Sequence, residues 1–286
     1  MKHTKVCIAG LGQVGLATAS YMRNKGLTVF GYDINAAAVQ RARQSGFGAF
    51  ASPDKVPECS VYIVSVSTAM KDNRPDLSPI YEVCTAIGRV STDETLVSIE
   101  STVVPGTCRK VFRTALKGRG LLVHVPHRYW AADPVRYGVR QVRAIGAMTS
   151  TGMDKGIEFY SGTLDVPLHP VPSLEVAEMC KITENAYRFV QIAFAEELRM
   201  VCDELGLDFQ ELRLACNAKW NIELLEARNG ILGHCLPKDT TYFTWLSRIN
   251  TLARTAIRSD KKYKRWIDDK RIQKACPLNG SVDQRC

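Results

Sequence analysis

The chain has 286 residues, of which 45% are hydrophobic and 23% are charged. This is the composition of a folded globular protein, and it excludes a disordered or fibrous chain. No stretch approaches the roughly 20 consecutive apolar residues that a membrane span needs. The apolar run that begins at Val6 is too short for the core of a signal peptide, so we expect a cytoplasmic protein with no membrane partner.

The net charge of +9 comes partly from the segment 254–274, where Lys261, Lys262, Lys264 and Arg265 lie close together. This segment lacks the aromatic-interleaved strands and finger spacings of nucleic-acid-binding modules, so nucleic acid is a disfavoured partner. The same charge can attract a phosphorylated small molecule.

The ten cysteines include no Cys-x-x-Cys pair, which argues against a zinc ribbon or a disulfide scaffold, and we predict no metal site.

The first 172 residues alternate strand and helix patterns. Short runs rich in β-branched and other apolar residues predict strands at 5–9, 28–32, 61–66, 95–99, 121–125, 142–146 and 166–170. Helical spacing predicts helices at 16–24, 36–43, 78–90 and 149–160. Strands that alternate with helices are joined by right-handed crossovers, which gives a parallel sheet. We therefore predict an α/β fold with a Rossmann-type, doubly wound parallel sheet over residues 1–172.

The pattern changes after Pro172. Ser173 is a good N-cap for a run of helical spacing from Leu174 to Leu205, far longer than the mean helix of about 11 to 12 residues. A helix of this length needs a partner surface for its apolar face, so we predict an all-helical central domain at 173–258 that forms a homodimer. Its last amphipathic segment runs over 240–257. Residues 259–286 are predicted to form a basic, frayed tail.

Three glycines after the first strand match the Gly-x-Gly-x-x-Gly fingerprint of dinucleotide-binding proteins, and an aspartate follows at the expected interval of roughly 20 residues. The first glycine permits the turn, the second lets the backbone approach a pyrophosphate, and the third allows close packing of helix and strand. Asp33 would accept from a ribose 2′-hydroxyl and repel a 2′-phosphate, which predicts NAD rather than NADP. The alternative is a glycine-rich turn with a structural aspartate. The predicted cofactor contacts are Gly10, Gly12, Gln13, Val14, Gly15 and Asp33.

A second cluster is the glycine-rich loop 229–239, which presents Cys235 beside His234, Lys238 and Asp239. Neighbouring cations stabilise a thiolate, so Cys235 is a candidate nucleophile, although a buried structural cysteine is the simpler interpretation of this residue alone. A third cluster, Glu178, Lys181 and Asn185, shares one face of the long helix. The lysine and asparagine side chains could donate jointly to a developing oxyanion. Alternatively, the three side chains could form a solvated polar stripe on the helix.

Together these motifs resemble the UDP-glucose/GDP-mannose dehydrogenase family, whose NAD-dependent members oxidise the C6 alcohol of a sugar nucleotide to a carboxylate. The resemblance includes the glycine fingerprint with Asp33, the segment 100–107 (Glu-Ser-Thr-Val-Val-Pro-Gly-Thr), the stretch 178–188 and the loop 233–239 (Gly-His-Cys-Leu-Pro-Lys-Asp). The motifs occur in the family's order and cover most of residues 1–250.

The resemblance implies a role for each matched residue. Cys235 would capture the intermediate aldehyde as a thiohemiacetal, and a second hydride transfer would convert it to a thioester. Lys181 and Asn185 would bind the oxygen that carries developing negative charge. Asp239 would assist proton transfer through a water, Thr102 would position that water or the substrate, and Lys238 would contact the cofactor.

The chain departs from the family pattern in three places. His127 stands where a glutamate is expected, so it would serve as general base, with a pH dependence near 6.5. Leu232 replaces a glycine of the cysteine loop, and from the length of the chain we expect it to lack the third domain with which the family holds the nucleotide. Two other functions therefore stay open: oxidation of a smaller hydroxy acid or nucleotide, as in the two-domain 3-hydroxyacid dehydrogenases, and a non-catalytic NAD-binding subunit.

Overall fold

A computed structural model describes residues 4–275 of the chain. Within these residues the strands are β1 (Lys5–Ala9), β2 (Thr28–Tyr32), β3 (Gly48–Phe50), β4 (Val61–Val64), β5 (Ala69–Lys71), β6 (Arg74–Asp76), β7 (Leu96–Ile99), β8 (Leu121–His124), β9 (Arg143–Ala147) and β10 (Leu168–Pro170). The helices are α1 (Gln13–Asn24), α2 (Ala36–Gln44), α3 (Ser78–Val90), α4 (Thr107–Thr114), α5 (Ser150–Ile157), α6 (Leu174–Leu205), α7 (Phe209–Asn217), α8 (Cys235–Leu246) and α9 (Thr251–Ala275). A 3₁₀ turn lies at Pro53–Lys55, and a π-helical turn, Glu158–Thr163, continues α5.

Eight of the described strands form one sheet in the order β10-β9-β8-β7-β4-β1-β2-β3. β1 lies at its centre, with Ile8 opposite Gly31 of β2 and Ile63 of β4. Neighbouring strands are parallel except β8 and β9, which are antiparallel. The predicted doubly wound α/β fold with a parallel sheet is confirmed, and the β8–β9 pair is the antiparallel exception among the described strands. The chain between β8 and β9 forms no helix, and a parallel return needs a crossover of that kind.

The central strands are buried on both faces of the sheet. Each residue of β4 and of β7 is buried, and so are the inward faces of the helices that cover them. Met22 of α1 packs in the hydrophobic cluster on one face, and Ile80 of α3 packs in the cluster on the other. Continuous apolar strands of this kind are typical of a parallel sheet covered by helices on both sides.

The chain divides into two compact units, unit 1 up to Ile182 and unit 2 from Thr183. The sequence predicted a boundary at residue 172, ten residues earlier. The first turns of α6 belong to unit 1 because Leu174 is fully buried in the hydrophobic cluster around β7, and Glu175 pairs with Arg109 of α4 at 2.7 Å. The Ser173 cap is present, with its hydroxyl oxygen 3.3 Å from the amide of Val176.

Unit 2 contains the rest of α6 together with α7, α8 and α9. Two expectations for this region differ from the structure. The segment 240–257 is not one helix, since α8 ends at Leu246 and α9 begins at Thr251. Between them, the side-chain amide of Asn250 donates to the carbonyl of Phe243. The frayed tail from 259 is instead part of α9, because Tyr263 is fully buried and packs with Trp266 and Ile267. The part of that predicted tail from 276 to 286 lies outside the described residues.

Several elements were not predicted from the sequence. They are the strand β3, the hairpin β5–β6, and the helices α4 and α7. β3 and the hairpin strands have three residues each, too few for a pattern to show. Across residues 4–275, none of the helices is long and apolar enough to cross a membrane.

Candidate active site

The glycine fingerprint forms a cradle at the carboxyl end of β1. Gly10 has a φ of +97°, and a Cβ there would lie 2.4 Å from the carbonyl oxygen of Ser65. A Cβ on Gly15 would lie 1.8 Å from the carbonyl oxygen of Gly10, so both positions require glycine. At Gly12, by contrast, a Cβ would meet no described atom within 4 Å. The space above Gly12 is therefore open to a ligand.

Helix α1 begins directly after Gly12, and none of the described side chains caps its N-terminus. The first turn holds no acidic residue, so the free amides of Gln13 and Val14 can attract an anion. An open glycine backbone next to uncapped amides fits the pyrophosphate of NAD. When bound, NAD accepts a hydride ion on its nicotinamide ring.

Asp33 follows β2 and holds the fingerprint loop. Its Oδ2 accepts from the amide of Leu11 at 2.7 Å, and its Oδ1 accepts from the amide of Asn35 at 2.8 Å. The side chain is half-buried, and each carboxylate oxygen keeps a further lone pair for a ribose hydroxyl. The structure thus brings the predicted cofactor residues of unit 1 together around one cradle.

The segment after β7 carries Thr102, which is half-buried. Its carbonyl oxygen accepts from the hydroxyl of Thr68 at 2.9 Å. At the end of the segment, the Glu178 carboxylate accepts from the amides of Gly106 and Cys108, both at 2.6 Å. Burial raises the pKa of Glu178, although the bonds from Cys108 and Gly106 act against this rise. Glu178 therefore ties α6 to the start of α4, and it is not part of a solvated stripe.

His127 is buried in unit 1. The Tyr129 amide donates to Nδ1 at 2.9 Å, so the neutral ring carries its proton on Nε2, which lies 3.1 Å from the hydroxyl oxygen of Thr18 and 2.9 Å from Nη2 of Arg143. Burial, and then the charges of Arg143 and Lys181, lower the pKa of His127 well below 6.5. This direction argues against the expected pH dependence near 6.5 for this residue. His127 is neutral at physiological pH and is a weak base.

The buried ion pair beside His127 was not predicted from the sequence. Arg143 Nη1 lies 3.0 Å from Oε1 of Glu100, and both side chains are almost completely buried. The hydroxyl of Tyr160 donates to the same carboxylate at 2.7 Å, and Ser98 bonds to that hydroxyl. Glu100 was known only as the first residue of the 100–107 segment. A charged residue at the end of an apolar strand, matched by an arginine at the start of another, is the pattern that could have identified it.

In unit 2, Asp239 is the centre of the predicted catalytic cluster. It is 1% exposed, its Oδ2 accepts from the side-chain amide of Asn185 at 2.5 Å, and its Oδ1 lies 2.5 Å from the ammonium of Lys238. That ammonium also lies 4.4 Å from the ring centre of Tyr242. Cys235 is exposed and is the first residue of α8, one turn before Lys238 and Asp239. The thiol therefore lies at the N-terminus of a helix, within one turn of the buried pair.

The predicted site residues thus fall into two sets. Unit 1 contains the cofactor cradle, Thr102, His127 and Lys181, whereas unit 2 contains Asn185, Cys235, Lys238 and Asp239. Lys181 and Asn185 lie one turn apart on α6, and the boundary between the units falls between them. Lys181 is half-buried, as is Asn185.

Comparison with protein-family models identifies the family of the chain. Residues 37–161 match the NAD binding domain of the UDP-glucose/GDP-mannose dehydrogenase family, and residues 175–263 match the central domain of the same family. The chain belongs to this family. The match to the NAD binding domain identifies NAD as the cofactor of unit 1.

Curated relatives are longer than the chain. A UDP-N-acetyl-D-mannosamine dehydrogenase of Methanococcus maripaludis is 29% identical over 82% of this chain and 60% of its own length. An NDP-N-acetyl-D-galactosaminuronic acid dehydrogenase of Ralstonia nicotianae is 30% identical over 82% of this chain and 63% of its own length. The chain therefore spans about three fifths of these relatives.

Solved structures share the fold. A UDP-D-ManNAc dehydrogenase from Pyrococcus horikoshii has a TM-score of 0.84 at 23% identity, with 93% of this chain and 70% of that chain covered. A 3-hydroxyisobutyrate dehydrogenase from Mycobacterium tuberculosis has a TM-score of 0.70 at 17% identity, with 93% of this chain and 94% of that chain covered. Both identities are low, so the likeness concerns the fold alone.

Proposed function

We propose that the chain oxidises the C6 primary alcohol of a UDP- or GDP-sugar toward the carboxylate, with NAD as the hydride acceptor. The observation that carries the proposal is the cluster at the start of α8, where an exposed Cys235 lies one turn from a buried Lys238–Asp239 pair. The relatives named above act on N-acetylated sugar nucleotides. UDP-N-acetylmannosamine is therefore the first substrate to test.

The first oxidation needs a group that binds the alcohol oxygen as it becomes negative. Lys181 and Asn185 lie one turn apart on α6 and supply an ammonium and an amide for this purpose. A clamp of this kind stabilises the transition state more than the neutral alcohol, because charge develops only as the hydride leaves. The bond between Asn185 and Asp239 orients the amide and connects it to a carboxylate that can take the proton through a water.

The second oxidation needs Cys235. Its sulfur adds to the aldehyde carbon, the thiol proton moves to the carbonyl oxygen, and the product is a thiohemiacetal. Loss of the hydride from that carbon to a second NAD, together with loss of the proton from its hydroxyl group, gives a thioester. Water then attacks the thioester, which releases the acid and restores the thiol. Asp239 and Thr102 are the groups proposed to activate and position this water, since the low pKa of His127 makes it a weak base.

The stoichiometry of NADH tests this proposal. The native chain is expected to form two NADH per UDP-N-acetylmannosamine consumed. Cys235→Ser should form at most one and release an aldehyde, which a hydrazine reagent would trap. Cys216→Ser, at a half-buried cysteine of α7, is the matched control and should keep two. Two NADH per substrate in Cys235→Ser would show that this cysteine is not the nucleophile.

The same assay separates the alternatives. Oxidation of a small hydroxy acid, which the sequence analysis left open, is the second candidate function. NADH formation from such an acid, and not from UDP- or GDP-sugars, would favour it. NAD binding without any NADH formation would favour a non-catalytic subunit. A cytoplasmic location remains a prediction from the sequence.

We also propose that the protein forms a homodimer. Large apolar side chains are exposed at a spacing of seven residues along α6, at Tyr187, Phe194 and Val201, and Leu205 extends the row. A spacing of seven places these side chains along one face of the helix. An exposed apolar row of this length is typical of a surface that another protein chain covers.

A further inference from the structure

The loop that presents Cys235 has little regular structure of its own. Between the end of α7 at Asn217 and the start of α8 at Cys235, the described residues form no helix or strand. Leu232, Gly233 and His234 are exposed, so they add little packing just before the cysteine. The position of the cysteine must therefore depend on what holds the chain on either side.

Ile231 is the anchor on the N-terminal side. Its side chain is 3% exposed and packs with Phe189 of α6 and Ala256 of α9. Leu236 packs against the same cluster. Cys235 therefore lies between two anchored residues, four positions after Ile231 and directly before Leu236. This packing fixes the side chain of Ile231. The path of the loop depends in addition on the hydrogen bonds that its backbone makes.

Two side chains of α9 bind both polar backbone atoms of Ile231. The Asp260 carboxylate accepts from the Ile231 amide at 2.7 Å, and the Lys264 ammonium donates to the Ile231 carbonyl at 2.8 Å. Asp260 and Lys264 also pair with each other at 2.8 Å, one helical turn apart. Each group of the pair thus holds the other in place while it binds the loop.

Gly230 allows Lys264 to reach this position. The residue has a φ of +84°, and a Cβ there would lie 2.4 Å from Cε of Lys264. A side chain at residue 230 would displace the lysine stem. Residue 230 is therefore required to be glycine for two reasons, the lysine stem that passes over it and its positive φ.

A second set of bonds holds the chain just before this point. Arg199 of α6 donates to the carbonyl of Ala227 at 2.8 Å, and the Tyr263 hydroxyl of α9 donates to the carbonyl of Arg228 at 2.8 Å. Arg199 and Tyr263 also bond to each other at 2.9 Å. Successive backbone groups of the loop are thus bound by side chains of two long helices.

We infer that Asp260 and Lys264 are positioning residues that fix the Cys235 loop through the Ile231 peptide. Their effect on catalysis rests on the proposed function, because it requires Cys235 to be the nucleophile. Neither residue needs to touch substrate or cofactor. Correct placement of a nucleophile contributes strongly to rate, so a loosened loop should lower kcat more than it changes the KM for NAD.

Glu196 of α6 extends this cluster. It is completely buried, and burial together with the nearby Asp260 charge raises its pKa to about 8, against the opposing effect of Lys264. At neutral pH Glu196 is therefore protonated, which leaves Asp260 as the single negative partner of Lys264 among these three groups.

The test compares Asp260→Ala, Asp260→Asn and Lys264→Met by hydrogen exchange of the peptide that contains residues 226–234. Asp260→Ala removes the acceptor for the Ile231 amide, and we expect this amide to exchange at least tenfold faster. Asp260→Asn keeps an oxygen acceptor and should recover most of the protection. Lys264→Met keeps the stem, loses the ammonium, and should show intermediate exchange. Lys261→Met, at an exposed lysine of α9, is the matched control and should exchange as the native chain does.

Kinetics complete the test. With UDP-N-acetylmannosamine, Asp260→Ala should lose at least tenfold in kcat while the KM for NAD stays within twofold. Native exchange in both Asp260→Ala and Lys264→Met would overturn the inference, and so would exchange in Asp260→Asn as fast as in Asp260→Ala. If Asp260→Ala does not fold, Lys264→Met decides the question by the same criteria. Hydrogen exchange needs no turnover, so a chain that oxidises no sugar nucleotide would disprove the proposed function without affecting the exchange result.

Discussion

The side-chain amide of Asn185 donates to the carboxylate of Asp239, and so connects the long helix α6 with the helix that begins at Cys235. The same carboxylate pairs with Lys238, and both members of this ion pair are buried. Breaking a buried ion pair by removing one partner is strongly destabilising, because it leaves an unpaired charge. The cluster is therefore structural as well as part of the proposed chemistry.

Asp239→Ala should lower both activity and stability. Removal of the carboxylate leaves the Lys238 ammonium without its partner, and we expect a loss of about 3 kcal/mol in the free energy of unfolding. Asp239→Asn keeps an oxygen acceptor for Asn185 and should lose activity with less loss of stability. Urea denaturation and NADH formation measure the two effects. Asp269→Ala, at an exposed aspartate of α9, is the control, and an Asp239→Ala variant as stable as this control would contradict the prediction.

Asp33→Ala should weaken NAD binding and reduce the discrimination against NADP. The carboxylate that would repel a 2′-phosphate is removed, and the Leu11 amide loses its acceptor, so the fingerprint loop is also loosened. Thermal stabilisation by each cofactor measures the effect, because a ligand stabilises the folded state according to its affinity. Asp93→Ala, at an exposed loop before β7, should behave as the native chain does. Equal stabilisation of the native chain by NAD and NADP would contradict the prediction.

The fold could be predicted where several signals for one structural unit lie close together in the sequence. β1 and the glycine turn were found because a buried strand, three glycines and Asp33 give independent signals for one unit. The reversal of β9 was not predictable, because an antiparallel strand and a parallel one have the same apolar pattern. α9 was missed beyond residue 258 because its exposed face is strongly basic, whereas the apolar face with Tyr263 shows only once the helix is packed.

The site was predictable at the level of residue type, but the partners of each residue were not. Cys235, Lys238 and Asp239 are close in the sequence, so their proximity followed from one motif. Glu100 and Arg143 are 43 residues apart, and only the sheet brings them together. Because this pair lies against His127, the low pKa of His127 also depends on tertiary contacts that no local pattern contains.

Glu196→Gln should flatten the dependence of stability on pH. An unfolded glutamate titrates near 4.3, whereas the folded pKa of Glu196 is about 8. Between these values the folded state keeps a proton that the unfolded state has lost, so the free energy of unfolding falls as pH rises toward 8 and levels off above it. Glutamine keeps the shape and removes the titration. Urea denaturation from pH 5 to 9 measures the slope.

Glu204→Gln, at an exposed position of the same helix, is the control for the titration of Glu196 and should keep the native slope. The charged groups identified as acting on Glu196 are Asp260 and Lys264 of α9. A native slope in Glu196→Gln would show that this glutamate is ionised in the folded chain at neutral pH.

Phe194→Asp should convert the proposed dimer to a monomer. Phe194 is 58% exposed and lies in the middle of the apolar row on α6, so a charge there would be buried without a partner in a dimer. Light scattering at micromolar concentration should give twice the chain mass for the native protein and the chain mass for the variant. Glu204→Gln again serves as control. A native protein that is a monomer under these conditions would contradict the dimer.

The final prediction concerns His127 and has two independent readouts. The folded pKa of His127 is well below the unfolded value of about 6.5, so on acidification the unfolded state takes up a proton that the folded state does not. The native chain should therefore lose stability as pH falls below 6.5, and His127→Gln should lose less of it. His124 contributes in the same direction, because burial lowers its pKa to about 3, so a slope will remain in the variant.

The second readout is the pH profile of NADH formation. If His127 stays neutral, no inflection from it occurs between pH 5.5 and 7.5, and His127→Gln should have the same profile shape as the native chain. His169→Gln, at an exposed histidine of β10, is the matched control. Loss of an inflection near 6.5 in His127→Gln alone would show that the histidine titrates during turnover as a general base. In that case the contact with Tyr129 would have to open during the reaction, because its amide occupies the Nδ1 lone pair that would take the second ring proton.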